Sequence, residues 1–186
     1  MGGSYYYFIS SLPYLREGQE PLISRQEFLA QCQTHLSPEQ YASLAAIDRV
    51  PRENACCESE TRWNAWETHL RNASVRLRAV RRNQKPDSYI RPELDVFADL
   101  EKQVMEAYDG TNPLEERQAI DKMRWQKLSE LEVGHQFDFD FLVIYHIKLI
   151  LLEKWVDLSA EKGQQLLDQA VQERIPELEF LEQQDA

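Results

Sequence analysis

Four groups of residues in this sequence have types and spacings that could carry chemistry. Glu132-Val133-Gly134-His135 has the Glu-x-x-His interval that carboxylate-bridged metal sites place one turn apart on a helix. Such sites need a second copy of the pair and two more inward carboxylates. No second copy is present, so an ordinary helix terminus is the simpler reading and no metal is expected. Cys32 and His35 also lie one turn apart, with Cys56-Cys57 further on, but zinc sites space paired cysteines by two or more residues. Inert thiols are expected there. His146 and Lys148 could serve acid-base chemistry if desolvated. The plainer reading puts them at a bundle margin, the lysine stem on apolar surface and its amine in water. There is no nucleophile elbow, phosphate-cradling loop or dinucleotide fingerprint, and the chain has only six glycines. Neither enzymatic activity nor a cofactor is expected.

The fourth group is a strip of cations. Arg62, Arg71, Arg76, Arg78, Arg81, Arg82 and Lys85 face few acids within their own predicted helix, although the chain carries a formal net charge of -11. A solvated helix face is one reading, its cations paired at home with acids such as Glu101, Glu106, Glu115 or Glu116, each pair contributing roughly 0 to 1 kcal/mol. The other is a docking strip, Arg71, Arg76, Arg78, Arg81 and Arg82, for an acidic protein or an anionic membrane surface.

The elements that must position these groups are helical. Phe137 to Leu152 is a run of apolar residues too dense for one stripe of a surface helix, yet broken by Asp140, His146 and Lys148, which a bilayer would penalise. It predicts a central helix over about 139–155, capped by Asp138 or Asp140 and covered by other helices. Ser24 with Glu27 and Ser37 with Gln40 are start signals for two short helices, the first stapled by Ile23 and Phe28. A connector over Asp48 to Ser59 leads to a long helix from near Glu60, whose seam is Trp63, Trp66, Leu70, Ala73, Leu77 and Val80. Pro92 predicts the next start, with Leu94, Phe97, Leu100, Val104 and Ala107 as its stripe. Asn112-Pro113 predicts another, closed at Gly134. Tyr5 to Leu15 is an aromatic arm, extended or a short helix, and Leu158-Ser159 opens a last short helix. The fold class expected is all-α, a bundle of long and short helices forming one domain over 1–186. Residues 22–47 could stand off as a small lobe, and 177–186 form a frayed acidic tail.

At 186 residues the chain can bury a sizeable core without disulfides. Its negative balance disfavours nucleic acid, which rewards cations through counterion release. Three cysteines, two of them adjacent, and the lack of a signal-peptide pattern point to free thiols in a reducing cytoplasm. The sequon at Asn72 is then a coincidence.

Several segments resemble an uncharacterised bacterial family encoded among the genes of the V/A-type ATPase, a rotary ion-translocating complex. They are Tyr6-Tyr7-Phe8-Ile9-Ser10-Ser11-Leu12-Pro13, Glu27-Phe28-Leu29 with Cys32, and Leu70-Arg71-Asn72 with Leu77-Arg78-Ala79. Asn112-Pro113-Leu114-Glu115, Arg124-Trp125, and Phe139 to Lys154 with Asp157-Leu158-Ser159 and Gly163 complete the set. More faintly, Tyr145-x-x-Lys148-Leu149 through Leu158-Ser159 is similar to the C (eukaryotic d) subunit of that ATPase. The departure comes after Glu153, which Lys154-Trp155-Val156 follow. The resemblance implies a non-catalytic subunit or assembly partner of the ATPase, touching its central-stalk subunits or rotor ring. Its location would be cytoplasmic, with peripheral association at the inner membrane face as the closest approach to lipid. A stand-alone small-ligand bundle using Trp63, Trp66 and the arm is the alternative.

Overall fold

The computed structural model describes residues 5–93, 95–110 and 112–157. Among them the protein is all-helical, with no strand. The elements in chain order are α1 (Tyr5–Ser11), α2 (Arg25–His35), α3 (Pro38–Ala45), α4 (Glu58–Arg81), a single 3-10 turn (Asp87–Tyr89), α5 (Leu100–Ala107), α6 (Pro113–Glu132) and α7 (Phe139–Asp157). The helix expected after Leu158, the acidic tail and Leu94 lie outside the described residues.

α7 is the centre. Every residue from Leu142 to Ile150 is buried, and α2, α4 and α6 pack around it. Asp138 supplies the expected cap, its Oδ1 accepting from the Phe141 amide at 3.0 Å. Asp140 does something else: it accepts from the backbone N–H of Ser59 at 2.9 Å, placing a carboxylate at the N-terminal end of α4, where the exposed amides and the helix dipole favour negative charge. The two short helices begin as their sequences require. In each, serine (Ser24, Ser37) and the residue three on (Glu27, Gln40) cap one another reciprocally. Their apolar residues join the main core, with Phe28, Cys32 and Leu44 fully buried beside α7 residues in one cluster. The arm is a helix that folds back over the bundle. Phe8 and Ile9 enter the core, and the carbonyl of Pro13 accepts from the Tyr145 hydroxyl at 2.8 Å.

α4 begins at Glu58, near Glu60 as expected, with Cys57 as its cap, the thiol sulfur accepting from the Glu60 amide at 3.4 Å. Two expectations need correction. Val80 is exposed and Ala79 is buried in its place, so the seam shifts by one residue over the last turn. Pro92 does not start a helix; α5 starts at Leu100. The stretch before it is held in extended contact along α4 by Asn72. Its Oδ1 accepts from the Arg91 amide at 3.0 Å, and its Nδ2 donates to the Arg91 carbonyl and to Glu93, both at 2.8 Å. The residue preceding a proline is disfavoured from helix in any case. The same bonds bury Asn72 and leave the sequon no room for a glycan.

Truncating α7 tests the centrality of this helix. Leu149 has no exposed surface, so Leu149→Ala is expected to lower unfolding free energy by about 2–5 kcal/mol. Urea denaturation followed by tryptophan fluorescence measures it, and a loss below about 1 kcal/mol would contradict the packing described.

Candidate functional site: an arginine-lined cleft

The long helices α4 and α6 leave a cleft over α7 with a volume of about 820 Å³. Its walls carry nine cationic side chains against three carboxylates, on a chain whose overall charge is -11. Ile147, Ile150 and Leu151 of α7 supply an apolar floor, and Trp63, Tyr89 and Tyr108 supply aromatic wall.

The deepest layer is an ion-pair network that ties three helices together. Glu67 of α4 is 1% exposed and accepts from Arg124 of α6 through two guanidinium nitrogens, at 2.8 and 2.9 Å, and from Arg71 at 2.7 Å. Arg124 also donates to Asp121 at 2.7 Å, and Asp121 takes a second cation, Lys154 of α7. Burial opposes the charge on Arg124, but Glu67 and Asp121 outweigh it and hold its pKa above the ordinary guanidinium value. Lys154 is pulled the other way, downwards, chiefly by burial and in part by Arg117 and Arg124. Three cations thus share two carboxylates, and the network keeps a positive surplus under the cleft floor.

The upper layer is looser. Arg78 donates to the Tyr108 hydroxyl at 2.6 Å and Arg81 to the Tyr108 carbonyl, both guanidinium groups lying within 6 Å of that ring. Arg81 reaches Glu116 at 3.4 Å. Among the described residues Arg49, Arg82 and Arg117 enter no ion pair or side-chain hydrogen bond, and all three are exposed; Arg78 and Arg91, also exposed and outside any ion pair, bond only the Tyr108 hydroxyl and the Pro51 carbonyl.

The sequence strip is therefore divided. Arg71, Arg78, Arg81 and Arg82 line the cleft, whereas Arg76 turns away and is spent on Glu93 at 2.7 Å and Glu101 at 2.9 Å. Arg62 pairs with Glu58. Of the four home partners expected, Glu101 and Glu116 serve; Glu106 pairs with Lys102 instead. Arg49, Arg91, Arg117, Arg124 and Lys154 come from other elements and were missed. A partial signal existed: Arg117 and Arg124 are seven apart on α6, hence on one face.

The remaining candidates are occupied structurally. Glu132 bonds Lys148, and His135 bonds Asp138 at 2.7 Å, so the Glu-x-x-His pair is split between two partners. His135, Asp138 and Asp140 do approach one another, but Asp138 also caps α7 and Asp140 caps α4. Cys32 is buried, which pushes its thiol up to about 12, and Cys56 and Cys57 are half-buried, free thiols. The expected margin position of His146 and Lys148 is corrected: both are buried. Lys148 lies over the Trp125 ring, 5.1 Å from its centroid, and is held by Glu132. His146 Nε2 accepts from Arg25 Nε at 2.8 Å, while Nδ1 makes no bond of good geometry among the described residues.

Residues 80–175, just over half of the chain, match a protein family described as Protein of unknown function (DUF2764). The chain belongs to this family. The DUF2764 match takes in the last residues of α4 and all of α5, α6 and α7, and with them the α6 wall and the α7 floor of the cleft. No curated protein matches the chain. No solved structure matches it either.

His146, in the core outside the cleft lining, gives the fold a measurable pH signature. Burial, with Arg25 beside it, pushes its pKa down to about 3 from 6.5. The unfolded chain therefore takes up a proton near pH 6.5 that the folded one refuses until about pH 3, and stability falls as pH drops through that window. The limiting slope is about 1.4 kcal/mol per pH unit. Glu60 and Asp140, held low by Arg52 and Cys56 and by the Ser59 backbone against the opposing effect of burial, add their losses only below their ordinary values of 4.5 and 3.8. Melting temperature measured from pH 6.5 to 4.5 is expected to decline with acidification, and His146→Gln to flatten the decline. An unchanged slope in the variant would contradict the assignment.

Proposed function

We propose that the protein is a non-catalytic interaction component of a V/A-type rotary ATPase, a subunit or an assembly partner that works through contact rather than chemistry. The observation that carries a docking role is the cleft itself: nine cationic side chains gathered on a strongly acidic chain, five of them (Arg49, Arg78, Arg82, Arg91 and Arg117) exposed and outside any ion pair among the described residues. Guanidinium forks suit carboxylates bidentately, so an acidic, partly apolar segment of a partner fits the walls and floor. The side chains with acid-base potential support the same reading, because His146, Lys148 and the thiols are spent on packing and capping. The identity of the partner rests on the sequence resemblance to a family encoded with the ATPase, and a C/d-subunit-like position at the coupling between stalk and rotor follows from the fainter similarity. Among the described residues no helix is long and apolar enough to cross a membrane, so contact with the rotor ring would be made from one side.

A small-ligand bundle is the second reading, favoured by one observation: Trp63 stacks on Trp66 at 5.5 Å and also forms part of the cleft wall. Affinity purification of the tagged protein under mild detergent separates the two. Peripheral ATPase subunits are expected to accompany the wild-type protein and to be depleted several-fold by Arg82→Glu with Arg117→Glu. Recovery of the chain without any ATPase subunit would reject the proposal.

A further inference from the structure

We infer that the arginine-lined cleft binds a nucleoside di- or triphosphate, its phosphates among Arg78, Arg82 and Arg117 and its base towards Tyr89. This goes beyond the docking reading by naming a small anion for the same cleft, and it rests on that reading only in taking the cleft for a site that receives anions.

The charge of the cleft is graded along its length. At the deep end the cations are answered, Arg71 and Arg124 by Glu67 and Lys154 by Asp121. At the upper end they are not. Arg81 reaches Glu116 there at 3.4 Å, so the last turn of α4 faces the first turn of α6, and Arg78 and Arg82 share that end with Arg117. All three are exposed and outside any ion pair among the described residues, Arg78 bonding only the neutral Tyr108 hydroxyl. Guanidinium groups gathered in this way repel one another, and a single carboxylate answers them one at a time. A polyphosphate answers them together, because it concentrates several charges and acceptor oxygens in one short group that the guanidinium fork matches bidentately.

The rest of the cleft suits the part of the ligand that is not phosphate. Tyr89, a large aromatic residue left exposed, lines it, as do Trp63 and the apolar Ile147 and Leu151. Tyr89 is placed by its neighbour Arg91, whose backbone is held on both sides by Asn72 of α4. Asn72 lies six residues before Arg78, about 9 Å along the helix, a distance that a nucleotide spans between its base and its outer phosphates. The volume of about 820 Å³ falls within the roughly 300–1,000 Å³ of small-molecule pockets. Stacking on an exposed ring reads the base little, since every base has a π-face, so ADP serves as the probe.

Equilibrium dialysis of the purified full chain against ADP, AMP, inorganic pyrophosphate and adenosine, in EDTA at low ionic strength, tests this. ADP is expected to bind at one site per chain, about tenfold or more tighter than each of the others. Arg82→Glu with Arg117→Glu is expected to abolish binding of ADP and pyrophosphate alike. Tyr89→Ala is expected to weaken ADP about tenfold and to leave pyrophosphate unchanged. Tyr89 is exposed, so this second variant decides the matter if circular dichroism shows the first to be misfolded. No binding of ADP, binding of any other probe as tightly as ADP, or an ADP affinity indifferent to either folded variant would overturn the inference. No ATPase component takes part, so failure here and failure of the co-purification are separable.

Discussion

The constraint on which the structure depends is that its most buried helix is not wholly apolar. α7 carries Asp140, Tyr145, His146, Lys148, Glu153 and Lys154 among its aliphatic residues, and a polar group removed from water without a partner costs about 1–3 kcal/mol. Each is matched by a group on the coat. Asp140 receives the first turn of α4, Tyr145 the arm's Pro13 carbonyl, and His146 the guanidinium of Arg25 in α2. Lys148 and Lys154 reach Glu132 and Asp121 of α6, and Glu153 accepts from the Arg25 backbone at 2.6 Å, at the start of α2. The apolar residues demand that the rod be covered. The polar ones fix which element covers which side.

That arrangement also generates the cleft. α4 and α6 are joined at depth by Glu67 and Arg124, about three turns before the point where Arg78, Arg81 and Arg82 continue along α4 towards the surface. Because Glu67 and Asp121 already answer Arg71, Arg124 and Lys154, the acids nearest the cleft are used up and the outer cations have few local partners. Net negative charge and a basic cleft are therefore compatible in one chain. The carboxylates that would neutralise the upper walls are elsewhere in the sequence.

Much of the fold was legible in local signals. The serine capping boxes, Asn112-Pro113, Gly134 in its left-handed conformation and the density of apolar residues in 142–152 each act over a few residues and each appears where expected. What was illegible depends on distant partners. Pro92 is a sound start signal overruled by Asn72, some twenty residues away, and Cys57 is an unusual cap that no propensity favours. Lys148 has the stem of a margin residue but is held inside by Glu132 and the Trp125 ring. The cleft was half visible, since α4's arginines are contiguous whereas Arg49, Arg91, Arg117, Arg124 and Lys154 converge only in three dimensions.

Native-state hydrogen exchange at increasing denaturant tests the central role of α7 most directly. Backbone amides of residues 142–150 should be the slowest in the protein and should exchange only through global unfolding, with α2 and α5 opening earlier. If the amides of 142–150 exchange before those of α4, α7 is not what the coat is built around.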